Sequence, residues 1–147
     1  MLTVDSTIRL WNPASGMCEA TLEGHSVSVD ALVVLADGRL ASGSWDTTIR
    51  LWNPASGVCE ATLEGHSGGV TALEVLADGR LASGSLDRTI RVWQFRNGHW
   101  TGAVGFVADA GIKALAYSAC AGVLSAVDES GRIHFLKVEA AAGAFPE

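Results

Sequence analysis

Leu40-Ala41-Ser42-Gly43-Ser44-Trp45-Asp46-Thr47-Thr48-Ile49-Arg50-Leu51-Trp52, introduced by Gly24-His25, decides the fold because it recurs. Gly65-His66 to Trp93 repeats every landmark: His25 to His66, Ser42 to Ser83, Asp46 to Asp87 and Trp52 to Trp93 are each 41 residues apart. A partial copy precedes both, with Asp5 and Trp11 lying 41 residues before Asp46 and Trp52. A constant period of this size means that one supersecondary unit has been copied, each unit burying its apolar faces against its neighbours.

The landmarks predict four short strands per unit. Residues 29–35 are apolar and β-branched, 36–39 hold an Asp37-Gly38 turn, and 40–44 return. Asp46-Thr47-Thr48 then turns into 49–52, and Asn53-Pro54-Ala55-Ser56-Gly57 leads into a fourth strand, 59–63. The chain resembles the WD40 repeat family on Gly24-His25, Asp37-Gly38, Leu40-Ala41-Ser42-Gly43-Ser44-x-Asp46, Ile49-Arg50-Leu51-Trp52 and the same set one period later. That resemblance implies an all-β fold, a segment of a WD40-type β-propeller built of four-stranded antiparallel blades. It covers residues 1 to about 95 strongly and 103–139 weakly; where the family ends its repeat in Trp-Asp, this chain has Trp52-Asn53 and Trp93-Gln94.

On this reading residues 1–139 form a partial propeller: a half blade at 1–23, blades at 24–64 and 65–106, and a degenerate blade at 107–139, followed by a tail at 140–147. The half blade supplies only the last two strands, and Met1 stands where Ser42 stands one period on, as in a blade shared with other chain. The degenerate blade is expected to use 112–117, 123–127 and 132–138 as strands. Asp128 lies 41 residues after Asp87, but His134 or Leu136 replaces Trp, so an incomplete hydrogen-bond network is expected there. Gly131 to Leu136 resembles the closing blade of bacterial multidomain WD40 proteins, in which the propeller is a C-terminal sensor.

Composition sets limits on function. A hydrophobic content of 48% suits strands buried on both faces. A net charge of −6, with no basic run, argues against nucleic acid, whose binding rests on Lys and Arg neutralising phosphates. The longest uncharged stretch, 114–127, has 14 residues, too few to cross a bilayer as a helix. Residues 1–13 lack a signal-peptide pattern. Three cysteines without a disulfide spacing fit a reducing compartment, and the expected setting is the cytoplasm. No cofactor is expected. A metal site from Cys18, Cys59, His25 and His66 would require repeat-equivalent positions, which radiate apart, to converge on one ion.

His25, Ser42 and Asp46 are the residue types of a hydrolase triad. Their recurrence as His66, Ser83 and Asp87 argues against catalysis, because an active site is built once and a structural set is built per repeat. In the family the matching residues form a chain from Asp to His to Ser to the Trp indole. The resemblance therefore implies two structural tetrads, His25, Ser42, Asp46, Trp52 and His66, Ser83, Asp87, Trp93, and a partial one, Asp5 and Trp11.

Residues 5–45 and 46–86 differ at seven pairs: Ser6/Thr47, Met17/Val58, Val27/Gly68, Ser28/Gly69, Asp30/Thr71, Val33/Glu74 and Trp45/Leu86. In WD40 proteins the top face often grips partners through positions matching Ser28, Asp30 and Trp45, and here Gly69, Thr71 and Leu86. All three pairs are among the seven. The sequence thus points to a non-catalytic scaffold that binds proteins or peptides through its top face. The alternatives are a sensor fragment or self-assembling architectural module of a larger WD40 signalling protein and, last, a hydrolase. Open blade faces at both ends lead to a further expectation, self-association or docking with the missing blades of a longer chain, two copies making about seven blades.

Overall fold

The computed structural model describes residues 6–138, and every element in that span is a β-strand. β1 (Ile8–Asn12) and β2 (Met17–Leu22) pair as a two-stranded sheet. β3 (Val29–Val34), β4 (Leu40–Ser44), β5 (Ile49–Asn53) and β6 (Val58–Leu63) form a four-stranded sheet in sequence order. β7 (Val70–Val75), β8 (Leu81–Ser85), β9 (Thr89–Arg96) and β10 (His99–Val107) form a second one, and β11 (Ile112–Ser118), β12 (Val123–Asp128) and β13 (Ile133–Lys137) a three-stranded sheet. All pairs are antiparallel. No helix among the described residues is long and apolar enough to cross a membrane, which says nothing about β-barrels. The tail and Asp5 lie outside the described residues.

Local chemistry sets each turn. Asn12 and Asn53 accept the backbone N–H of Ala14 and Ala55 at 2.9 Å, and Gly16 and Gly57 complete the loops at φ of 72° and 74°. The divergent hairpin between β9 and β10 replaces this loop with Asn97-Gly98, both at positive φ (53° and 83°), the two-residue turn that twists with its strands. Both strands lengthen as a result.

The sheets stack face to face, and each junction is a separate apolar core. Trp52 packs on Ile8 and Leu22 of the preceding sheet. Trp93 packs with Ile49, Leu51 and Leu63 of the sheet before it, and Ile112 and Leu124 join Ile90 at the third junction. The Trp side of β5 and β9 therefore faces backwards along the stack, and the Ile49/Leu51 side faces forwards. Glycine sets how closely two sheets approach: a Cβ on Gly43 would lie 2.5 Å from Val70 Cγ1, and one on Gly84 would lie 2.5 Å from Ile112 Cγ2.

The third sheet departs from the 41-residue register. Ala126 pairs with His134 as Ser42 pairs with Arg50 and Ser83 with Arg91, and Ile112 pairs with Asp128 as Val70 pairs with Ser85. Gly131, at φ 89°, takes the left-handed turn position of Thr47 (77°) and Arg88 (73°). Asp128 is thus the counterpart of Ser44 and Ser85, two positions from where the period puts it, and Leu136 is the counterpart of Trp52 and Trp93. Instead of a network with gaps, this sheet has a different one. Ala108, Ala126 and Leu136 fill the His, Ser and Trp places in its core, while Asp128, fully buried, receives hydrogen bonds from Ser130, the Arg132 N–H and His134 Nε2 at 2.9 Å.

The close junctions generate a test. Gly43→Ala forces a methyl into Val70 and should destabilise the chain by about 1 to 3 kcal/mol, the usual range for overpacking. Gly105→Ala, whose Cβ would meet Val92 at 3.4 Å in ordinary contact, should be much milder. Urea unfolding of both variants checks the order.

Candidate functional site

The two tetrads are nearly superimposable in their distances. His25 Nδ1 lies 2.9 Å from Asp46 Oδ2 and its Nε2 lies 2.7 Å from Ser42 Oγ, which also accepts the Trp52 indole N–H at 2.8 Å. In the next sheet the same distances are 2.8, 2.7 and 2.8 Å for His66–Asp87, His66–Ser83 and Trp93–Ser83. Ser42 and Ser83 sit on β4 and β8, the tryptophans on β5 and β9, and the histidines in the loops that lead to β3 and β7. The chain of bonds therefore ties an incoming loop to two strands of its own sheet. Of the partial set, Asp5 lies outside the described residues, and Trp11, in the place of Trp52, is 57% exposed where Trp52 is 1% exposed.

Around each carboxylate stands a second layer that the motif reading passed over. Thr48 Oγ1 and the Thr48 N–H donate to Asp46 Oδ1 at 2.6 and 2.9 Å, and the Ser26 N–H donates to Oδ2 at 3.1 Å. Ser44 Oγ, fully buried, accepts the Asp46 N–H at 3.1 Å and donates to the Val27 carbonyl at 3.1 Å. Thr89 and Ser85 do the same for Asp87. The signal was present in the sequence as Ser-x-Asp-x-Thr, twice.

Burial works against charge on both partners of each pair, and the outcome differs. At His25 and His66 desolvation outweighs the pull of Asp46 and Asp87 and lowers the imidazole pKa below its ordinary 6.5. At Asp46 and Asp87 desolvation raises the pKa, but the hydrogen bonds from Thr48 or Thr89, the histidine and the backbone outweigh it and hold the carboxyl at about 2. A neutral imidazole then donates from Nδ1 to the carboxylate and accepts at Nε2 from the serine, whose oxygen accepts the indole proton. Every polar group in the chain of bonds has a partner.

Ser42 and Ser83 have no accessible surface, so neither hydroxyl can meet a substrate carbonyl. Cys18 Sγ and Cys59 Sγ each approach a carbonyl of their own strand, Ala20 and Ala61, and among the described residues no three His, Cys, Asp or Glu side chains converge on a point.

The six rim positions have different duties. Trp45 is 54% exposed and Asp30 is also exposed; they stand at the same end of the β3–β4 pair, since Val29 pairs with Ser44. Ser28 and Leu86 are half-buried. Gly69 is buried under Trp45, where a Cβ would lie 3.2 Å from the Trp45 Cα and Cγ. Thr71 donates its hydroxyl to the Ile112 carbonyl of the next sheet at 2.5 Å, so it joins sheets. Trp100 is half-buried against the core around Leu51 and its ring centroid lies 5.7 Å from that of Phe95, filling space between sheets.

Two measurements follow from the tetrads. Asp46→Ala leaves the His25 donor without its acceptor and should reduce stability by about 1 to 3 kcal/mol; Asp128→Ala should also destabilise, through loss of the acceptor for Ser130 and His134. Both are read by urea unfolding. For the four tetrad groups the pH dependence has one sign, opposed by Glu74, whose carboxyl burial raises above its ordinary 4.5. Histidines with a lowered folded pKa take up protons more readily when unfolded, so stability falls as pH drops below about 6.5, and it falls again between about 4 and 2 as Asp46 and Asp87 protonate. Melting temperature recorded from pH 8 to 3 should decline on acidification in both windows. A rise between pH 7 and 5 would mean that the folded chain prefers charged histidines.

Among solved structures, the crystal structure of the computationally designed Ika4 protein superimposes with a TM-score of 0.77 at 25% identity, covering 92% of this chain and 82% of that one. No curated protein matches the chain. The family WD domain, G-beta repeat matches residues 16–53 and 57–94, more than half of the sequence. Those two spans carry the Trp and Ser-x-Asp-x-Thr positions just described, in two successive sheets; the chain belongs to the WD domain, G-beta repeat family.

Proposed function

We propose that the chain is a non-catalytic scaffold that binds proteins or peptides at the rim carrying Asp30 and Trp45, in a cytoplasmic setting. WD40 repeats generally mediate protein–protein interaction. The observation that carries the reading is Trp45: a large aromatic side chain, 54% exposed, in a position where the otherwise near-identical next repeat has Leu86. Tryptophan supplies much contact area at little entropic loss and is enriched among residues that dominate interfaces. Asp30, at the same end of the β3–β4 pair, adds a charge that would favour a basic or hydrogen-bond-donating segment. Ser28 and Leu86 would border the contact, and Gly69 and Thr71 would support it from within. A hydrolytic role for His25, Ser42 and Asp46 has the buried serine against it.

A second reading, self-association, is favoured by the apolar side chains left uncovered at the two ends of the stack, Trp11 at one and Ile133 and Phe135 at the other. Docking with further blades of a longer chain is its counterpart.

The rim assignment is tested by replacing Trp45 and Trp52 separately with Ala. Trp45→Ala should change stability by under about 0.5 kcal/mol and weaken capture of partners by roughly 2 kcal/mol or more, the range of an interface hot spot. Trp52→Ala should impair folding first. Pull-downs from native lysate with each variant, its folding checked by circular dichroism, decide the matter. Unchanged capture by Trp45→Ala would remove the rim from the proposal.

A further inference from the structure

We propose that two copies of this chain join head to tail, the β1–β2 sheet of one seating on the forward face of the β11–β13 sheet of the other, with Trp11 against Ile133 and Phe135. This rests on the self-association reading and names the surfaces and the direction of the junction.

The internal junctions are the template. β1 and β2 pair in the same register as β5 and β6, with the same irregularity before the tryptophan, so Trp11 is the equivalent of Trp52. Ile133 and Phe135 pair with Val127 and Ser125 as Ile49 and Leu51 pair with Gly43 and Ala41, which makes them the forward-facing equivalents of Ile49 and Leu51. Wherever a neighbouring sheet is present these positions are closed. Trp52 and Trp93 are 1% and 4% exposed, and Ile49 and Leu51 are both 0% exposed. At the ends, Trp11 is 57%, Ile133 57% and Phe135 73% exposed, so the two ends do not cover one another within a single chain. Each end thus carries one half of the contact that Trp93 makes with Ile49 and Leu51 inside the molecule.

Val127 selects the occupant. Its internal counterparts are Gly43 and Gly84, and even a methyl there would stand 2.5 Å from Val70 or Ile112, the first residue of the incoming sheet's inner strand. Valine at this position leaves no room for a sheet that brings such a strand. A sheet equivalent to β3–β6 or β7–β10 is therefore a poor fit, whereas β1–β2, which corresponds only to the outer two strands, presents Trp11 without that obstruction. A contact of this kind uses different surfaces on the two partners; it forms twice in a closed pair and repeats without end in an open stack, and the proposal is the closed pair. The pair holds eight sheets, four from each copy, rather than the seven blades expected from the repeat count.

Sedimentation velocity of the purified chain and of Trp11→Ser and Phe135→Ser tests this, since both residues are exposed and their removal leaves the internal cores intact. The wild type should sediment at about twice the 15.3 kDa chain mass at tens of micromolar, and each variant should dissociate at least tenfold more readily while keeping its circular dichroism spectrum and melting temperature. Mixing the two variants should give a two-chain species tighter than either variant alone but weaker than the wild type, because one of its two junctions then has both Trp11 and Phe135 and the other has neither. A wild type that stays single overturns self-association and this junction together. A wild type that pairs while both variants pair equally well overturns this junction alone. Trp45→Ala should leave sedimentation unchanged, which separates the junction from the rim.

Discussion

A sheet with apolar side chains on both faces is stable only between two others, and the distance of closest approach at each junction governs the rest of this molecule. Gly43 and Gly84 allow Val70 and Ile112 to press against the preceding backbone, and that approach is what brings Thr71 within hydrogen-bonding reach of the Ile112 carbonyl. Close stacking also removes water from Ser42, Ser83 and the tryptophans. A polar group placed there loses its hydration and is costly unless paired; the tetrad groups are all paired, whereas the Trp100 indole Nε1 and the Arg50 and Arg91 Nε atoms are buried without a partner.

The three multi-stranded sheets give two solutions to that requirement. In the first two, His, Ser and Trp satisfy one another and the carboxylate closes the chain of bonds at its wetter end. In the third, all three corresponding places are apolar, with Ala108 and Ala126 buried and Leu136 partly buried against them. Removing one member of a buried polar set is expensive, whereas replacing every member with apolar groups of fitting shape can be nearly neutral. The third sheet has moved its carboxylate accordingly. Asp128 serves the turn from the strand end, with Ser130 and His134 as donors that hold its pKa well below the ordinary carboxylate range.

Much of this was legible in the sequence because the period is long and the copies are close. Strand boundaries in the first two sheets, the Asx turns and the tetrad members all follow from residues that recur at 41. The third sheet was harder for a definite reason: extra residues shift its register, so Asp128 coincides with Asp87 in spacing while taking the place of Ser85 in space. Gly131 was the available clue, since the turn after each Asp needs a left-handed residue and Thr47 and Arg88 adopt that conformation against their preference. The use of Gly69 and Thr71 could not be read from one repeat, because each is explained by a residue on a neighbouring sheet.

That dependence alters what the differences between the two copies mean. Gly69 has a packing reason of its own: Trp45 lies on it, and a serine there would place its Cβ 3.2 Å from Trp45 Cα and Cγ, just as Leu86 lies on Gly111 at the next junction. Asp30/Thr71 is similar, in that Thr71 donates to the next sheet and a carboxylate cannot. Gly69 and Thr71 are therefore held by contacts across the junctions. Once the junction accounts for Gly69 and Thr71, what is left is an exposed tryptophan and an exposed aspartate at the same end of the β3–β4 pair. Nothing inside the fold calls for an indole at position 45, since Leu86 closes the equivalent turn over Gly111 with a smaller side chain.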